Sequence, residues 1–199
     1  MPLSNMGMDV FNSEECLDHL MFHLARYKFA KGFLKSTDSV LDIACGTGYG
    51  TRMLSDYCND IVGVDINEDT VEYASEKYGG ENRSFNQGSI LEVEGEYDII
   101  VCFETIEHMC KEAGVVAVEN LKSCLKPGGV LFISTPKRLP IEERSKGRVE
   151  HHMFEYSYED FVLLLSKQFD RPVIFSQTDE IITIGNHKSV WTYVGVCCG

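Results

Sequence analysis

A chain of 199 residues, 44% hydrophobic and 25% charged, can bury one sizeable core and fits a single domain over 1–199. Its formal net charge of -13 repels polyanions, so a long nucleic acid is disfavoured as a partner. No apolar run approaches a membrane span and "MPLSNMGMDVFNSEE" lacks the basic and apolar parts of a secretory signal, so a cytoplasmic location is expected.

Residues 14–35 place Leu17, Leu20, Met21, Leu24, Phe29, Phe33 and Leu34 near one helical face, a helical cap (1–36) ahead of an α/β core (37–199). Strands are predicted at 39–44, 60–65, 83–87, 97–103, 129–135, 172–178 and 190–196. Helices are predicted at 49–57, 67–78 and 111–125. "SYEDFVLLL" opens a further helix, with Ser157 and Asp160 placed for a capping box and Phe161, Leu164 and Leu165 facing the core. Alternating strands and helices imply a parallel sheet, and the polar "GNHKS" before the last strand implies a closing antiparallel hairpin. The fold class is thus an open α/β sandwich of seven strands, with ligands bound at the carboxyl ends where strand order reverses. Eight cysteines without a CxxC pair, in a chain too large to need staples, read as reduced thiols.

One stretch concentrates the chemistry. In "VLDIACGTGYGT" (40–51) an apolar run ends in an acid, and Gly46, Gly48 and Gly50 alternate, as where something approaches the backbone closely. A nicotinamide fingerprint spaces its glycines GxGxxG and sets a pyrophosphate on a helix N-terminus. Here the spacing is GxGxG, and Asp42 would repel a diphosphate but suit a cationic amino group. A second acid, Asp65, ends "DIVGVD", where a strand-end carboxylate can accept hydrogen bonds from both ribose hydroxyls. An amino-acid end, a ribose and no phosphate describe S-adenosylmethionine.

The pieces "VLDIACGTGYGT", "VGVDIN", "YDIIVCFETIEHM" and "LKPGGVLFISTP" stand in the order found in class I S-adenosylmethionine-dependent methyltransferases, which the chain resembles over nearly its whole length. The resemblance implies a Rossmann-like sandwich of seven strands with a final antiparallel hairpin. It also implies that Asp42, Gly46 and Gly48 line the methionine end, with Ala44 and Phe103 in the same cofactor-binding set. Asp65 and Ile66 would hold the ribose and the adenine edge. Ser89 stands where relatives often carry an acid, leaving Ser89 and Ile90 to reach the adenine through backbone groups. "HLARYKFA" resembles an N-terminal helix in a subset of these enzymes, where Arg26 and Tyr27 close over the cofactor. The alternative is that Tyr27 only packs that helix down.

Methyl transfer from a sulfonium is a displacement, so the acceptor must be aligned and its proton removed. "FETIEHM" puts Glu104, Glu107 and His108 at i, i+3 and i+4, one face if a helix begins there. Two close carboxylates repel, a conflict that a divalent cation removes, and oxygen and nitrogen donors suit magnesium, manganese, iron or zinc. An acid followed by Glu-His is also widespread in the superfamily without metal, with His108 as a helix cap or a base. The full Glu-x-x-Glu-His pattern resembles two metal-using groups, ubiquinone-pathway O-methyltransferases and small-RNA terminal 2′-O-methyltransferases. Of His151 and His152, matching "HMFEY" puts His152 at the place of their further ligand. The expectation is a divalent cation, magnesium or manganese, on Glu104, Glu107, His108 and His152, with the last three serving catalysis. Without metal, His108 or His152 is the general base.

"HLARY", "ACGTGYG", "FETIEH", "STP" and a late "HMFEY" together resemble a branch associated with sugar and glycan assembly. A sugar or glycan hydroxyl is therefore the leading acceptor, and vicinal sugar hydroxyls suit chelation. The end of a small RNA is the alternative, which the acidic balance opposes. A phenol or catechol comes third, and an inactive cofactor-binding module is disfavoured by the intact acids. The loop 137–150, with its locally basic "KRLPIEERSKGR", is expected to cover or select the acceptor.

Overall fold

The computed structural model describes residues 17–199, with side chains from residue 21 onward. Positions 14–16 of the expected first helix, the side chains of Leu17 and Leu20, and the segment read for a signal lie outside the described residues. Helix α1 (Leu17–Lys31) leads into strands β1 (Ser39–Ile43), β2 (Asp60–Asp65), β3 (Arg83–Gln87), β4 (Tyr97–Cys102) and β5 (Leu125–Pro136). The strands β6 (Val173–Thr178), β7 (Ile181–Ile184) and β8 (Thr192–Cys198) close the chain. Between the strands lie α2 (Tyr49–Leu54), α3 (Glu68–Tyr78), α4 (Lys111–Ser123), α5 (Lys146–His151) and α6 (Tyr158–Ser166).

The strands form one sheet in the order β3-β2-β1-β4-β5-β8-β6-β7. β1 to β5 pair in parallel, while β8 runs antiparallel to both β5 and β6. Because β1 and β4 are covered on both faces, they read as continuous apolar runs. Alternation then sorts their side chains. Leu41, Ile43, Ile100, Leu131 and Ile133 face Ala117, Val118 and Leu121 of α4 and Phe161 and Leu165 of α6. Val40, Ile99, Val101 and Phe132 face Tyr27 and Ala30 of α1 and Leu54 of α2. Asp42 shares the parity of Val40, so it is delivered to the α1–α2 face.

Capping follows the sequence signals. Ser157 accepts from the Asp160 N–H at 3.1 Å, and Asn67 accepts from the Thr70 N–H at 3.0 Å to start α3. The expected seven strands become eight. β7 is a short edge strand that folds back on β6 across Asp179, whose φ of 50° is left-handed. Its burial is slight, so no alternation of apolar and polar residues marked it. The polar segment at 185–189 follows this hairpin and returns the chain to β8. The seven described cysteines are all free thiols. No described helix is long and apolar enough to cross a membrane.

Strand order reverses at β1, which lies between β2 and β4. Ligands of open α/β sheets bind beyond the carboxyl ends at such a point.

Candidate active site

Past Ile43 the chain turns over this switch point. Ala44 and Gly46 adopt left-handed φ values of 58° and 53°, and Gly48, at 82°, precedes α2. The Gly46 N–H donates to Asp65 Oδ2 at 2.9 Å, and the Asn67 N–H donates to Asp65 Oδ1 at 3.0 Å. Asp65 is thereby fixed on the wall of a cavity of about 580 Å³, together with Ala44, Gly46, Ile66, Ser89 and Ile90. Each of its oxygens retains a further lone pair. The Ser89 carbonyl is taken by the Glu92 and Val93 N–H groups, and the Ile90 carbonyl by Asn120 Nδ2. On the other side of Gly46, a cavity of about 180 Å³ is walled by Arg26, Tyr27, Ala44, Gly46 and Phe103.

Among the described residues, a Cβ on Gly46 would meet nothing within 4 Å, whereas one on Gly48 would lie 2.7 Å from Phe85 Cε1 and one on Gly50 would overlap the Tyr27 ring. Gly46 is demanded by its left-handed backbone and leaves the turn open beside it. Gly48 and Gly50 are instead demanded by the packing of β3 and α1, and Gly48, expected at the methionine end, lines neither cavity.

Asp42 is 1% exposed and also lines neither cavity. Its Oδ2 accepts from Thr51 Oγ1 at 2.6 Å and its Oδ1 from the Tyr27 hydroxyl at 3.3 Å. Burial pushes its carboxyl up to about 7, against the opposing pull of these two hydroxyls. Asp42 thereby ties α1 to α2 beneath the glycine turn. Tyr27 packs edge-to-face on Phe103 with centroids 5.0 Å apart, and it also lines the smaller cavity. Arg26 donates to Gln177 Oε1 at 3.0 Å, joining α1 to β6.

After β4 the expected helix is absent. Glu104 takes a left-handed φ of 53°, and Ile106–His108 form one 3-10 turn. The shared helical face of Glu104, Glu107 and His108 is therefore lost. Glu104 lines both cavities and accepts from Ser134 Oγ at 2.8 Å. Ligand atoms of Glu107, His108 and His152 lie within 4.8 Å of one another, and Glu104 stands outside this group.

The geometry of these three is specific. Glu107 is 1% exposed and accepts from Thr135 Oγ1 at 3.3 Å. Burial first, then the Glu104 charge, hold its carboxyl well above the usual carboxylate range. His108 Nδ1 faces the His151 carbonyl at 3.0 Å. A carbonyl only accepts, so Nδ1 carries a proton, and in the neutral ring Nε2, 4.0 Å from Glu107 Oε1, keeps its lone pair. His152 Nδ1 lies 2.8 Å from Glu155 Oε1, and the two imidazoles meet edge-to-face at 5.1 Å. Burial holds His152 below the usual histidine range. One carboxyl and two imidazoles anchored through Nδ1 form a donor set suited to a divalent cation.

Thr51, Ser134, Thr135 and Glu155 were missed in the sequence. The hydroxyls of "STP" and the Glu three residues after His152 carried a signal. Thr51 carried none, because its link to Asp42 exists only through packing.

A family model described as "Methyltransferase domain" matches residues 34–180. A "Probable S-adenosylmethionine-dependent methyltransferase" of Mycolicibacterium smegmatis is 32% identical over 103 residues, covering 50% of this chain and 38% of that protein. A "Ubiquinone biosynthesis O-methyltransferase" of Methylococcus capsulatus is 34% identical over 104 residues, covering 49% of this chain and 43% of that protein. The chain thus spans less than half the length of either relative. The crystal structure of N-methyltransferase NodS from Bradyrhizobium japonicum, in complex with S-adenosyl-L-homocysteine, superposes with a TM-score of 0.68 at 16% identity. That superposition covers 94% of this chain and 89% of NodS, a likeness of fold. With the family model running from the end of α1 to the last hairpin, the chain belongs to the methyltransferase-domain family and has the Rossmann-like fold of class I S-adenosylmethionine-dependent methyltransferases.

Proposed function

We propose that this protein transfers a methyl group from S-adenosylmethionine to a hydroxyl of a sugar or glycan, with a divalent cation at the acceptor side. The observation that carries the second half is the convergence of Glu107, His108 and His152 next to the main cavity. Family membership supports the cofactor, and so does the pair of cavities meeting at Gly46, which suits a ligand with a nucleoside end and an amino-acid end. Asp65 accepts from the ribose hydroxyls. Tyr27 and Phe103 enclose the methionine end.

S-adenosylmethionine supplies an electrophilic methyl on a sulfonium, and a magnesium or manganese ion would lower the pKa of the acceptor hydroxyl. Glu107, His108 and His152 are the residues that would hold the ion. The acceptor oxygen forms the new C–O bond as the C–S bond breaks, and Nε2 of His108 or His152 can take the hydroxyl proton where no ion is bound to acidify it. The acidic surface favours a small or neutral acceptor over a long nucleic acid.

The test is methyl transfer from labelled cofactor to nucleotide sugars, free glycans and short RNAs, with and without magnesium or manganese. The expected result is metal-dependent transfer to a sugar hydroxyl, reduced roughly 10²-fold or more by Glu107→Ala. Full activity in excess chelator eliminates the cation, and transfer to RNA alone eliminates the sugar.

A further inference from the structure

The Glu155 side chain is fully buried, and polar or charged partners reach both of its oxygens. Oε1 accepts from His152 Nδ1 at 2.8 Å and from Arg148 Nε at 2.8 Å. Oε2 accepts from the Leu139 N–H at 3.1 Å and lies 3.2 Å from Arg144 Nε. Both arginines also reach back into the chain, Arg148 to the Lys137 carbonyl at 2.8 Å and Arg144 to the Leu139 carbonyl at 3.0 Å. One carboxylate therefore gathers the start, middle and end of the 137–151 arm, and the ring of His152 with them.

The chemistry of this contact fixes a proton. An ionised carboxylate can only accept, so His152 must carry its hydrogen on Nδ1 and leave Nε2 with a lone pair. With the hydrogen on Nε2 instead, the imidazole could neither ligate an ion there nor take a proton. The two arginines supply the positive charge that lets Glu155 stay ionised while buried. We propose that Glu155 is a positioning residue: it holds His152 in the tautomer whose Nε2 is free, and it couples that ring to the arm beside the acceptor site. The tautomer and the coupling stand on the contacts alone, while their use in methyl transfer rests on the function proposed above.

The test uses the full chain labelled with ¹⁵N-histidine, at a pH where His152 is neutral. Two-bond proton–nitrogen correlations report which ring nitrogen of His152 carries hydrogen. The native protein is expected to show Nδ1–H, and Glu155→Leu to shift the hydrogen to Nε2 and speed amide exchange across 137–151. On the same samples, manganese affinity is expected to fall about 10–100-fold in Glu155→Leu. S-adenosylmethionine affinity should be unchanged, because Glu155 lines neither cavity. Glu155→Asp keeps the charge that the arginines need while drawing the carboxylate away from the ring, and it decides by the same tautomer criterion if the leucine variant does not fold. Nε2–H in the native protein, Nδ1–H persisting in the variant, or unchanged exchange across the arm overturns the proposal. A tautomer switch and loosened arm in a protein that binds no manganese support the positioning role and overturn the cation.

Discussion

Replacing Thr51 with valine removes one hydroxyl from a fully buried site and leaves nearly the same shape. That hydroxyl donates to Asp42 at 2.6 Å. To an ionised carboxylate such a bond contributes about 1.5–3 kcal/mol, and to a neutral partner about 0.5–1.5 kcal/mol. Which applies depends on pH, because burial pushes Asp42 up to about 7. In the unfolded chain an aspartate titrates near about 4. Between those values the native state holds a proton that the unfolded state has released, so Asp42 lowers stability progressively as pH rises through the window. The gap of about 3 units corresponds to roughly 4 kcal/mol. Valine removes a bond that favours the ionised form, which raises Asp42 further and deepens the loss on the alkaline side. Urea unfolding of both proteins near pH 5.5 and near pH 8 isolates the effect, since other titrating groups cancel in the difference. The expected cost of Thr51→Val is about 1 kcal/mol at the lower pH and about 2–3 kcal/mol at the higher. An equal cost at both, or a smaller one at pH 8, refutes the assignment of Asp42 as a buried, raised carboxyl.

Three more outcomes are expected. The Tyr156 hydroxyl is buried, has no hydrogen-bond partner among the described residues and occupies the place a Cβ on Gly114 would need. Gly114→Ala should cost about 1–3 kcal/mol alone but gain about 1 kcal/mol in a Tyr156→Phe background, where the nearest ring atom lies 3.6 Å away; additive effects in chemical denaturation would contradict this. Gly46→Ala should weaken S-adenosylmethionine binding more than it lowers Tm, and Gly50→Ala should do the reverse by displacing Tyr27; calorimetry and melting curves that rank the two alike would count against the division. Asp98 is pulled down to about 2, chiefly by Lys126 at 2.8 Å, so its contribution is present above the ordinary aspartate value and lost as pH falls toward about 2. Asp98→Asn should flatten the acid limb of the stability profile, and an unchanged limb would reject the pairing.

The first five strands, their parallel pairing and the start of α6 were legible in the sequence, because the short apolar runs of β1 and β4 and the Ser157 cap are set within a few neighbouring residues. The acid at the end of β2 was legible for the same reason. Tertiary structure alone decided what each acid meets. Asp42 is shielded by Tyr27 and Thr51, which arrive from two helices, so a carboxylate beside the glycines became a buried tie. Glu104, Glu107 and His108 do not share a helical face because the left-handed backbone at Glu104 broke the helical phase that a linear spacing assumes. Gly48 and Gly50 look like Gly46 in the sequence, yet only the packed Phe85 and Tyr27 rings reveal that they make room for protein. Local periodicity determines which face of an element turns inward, whereas the partner found there depends on how distant elements pack.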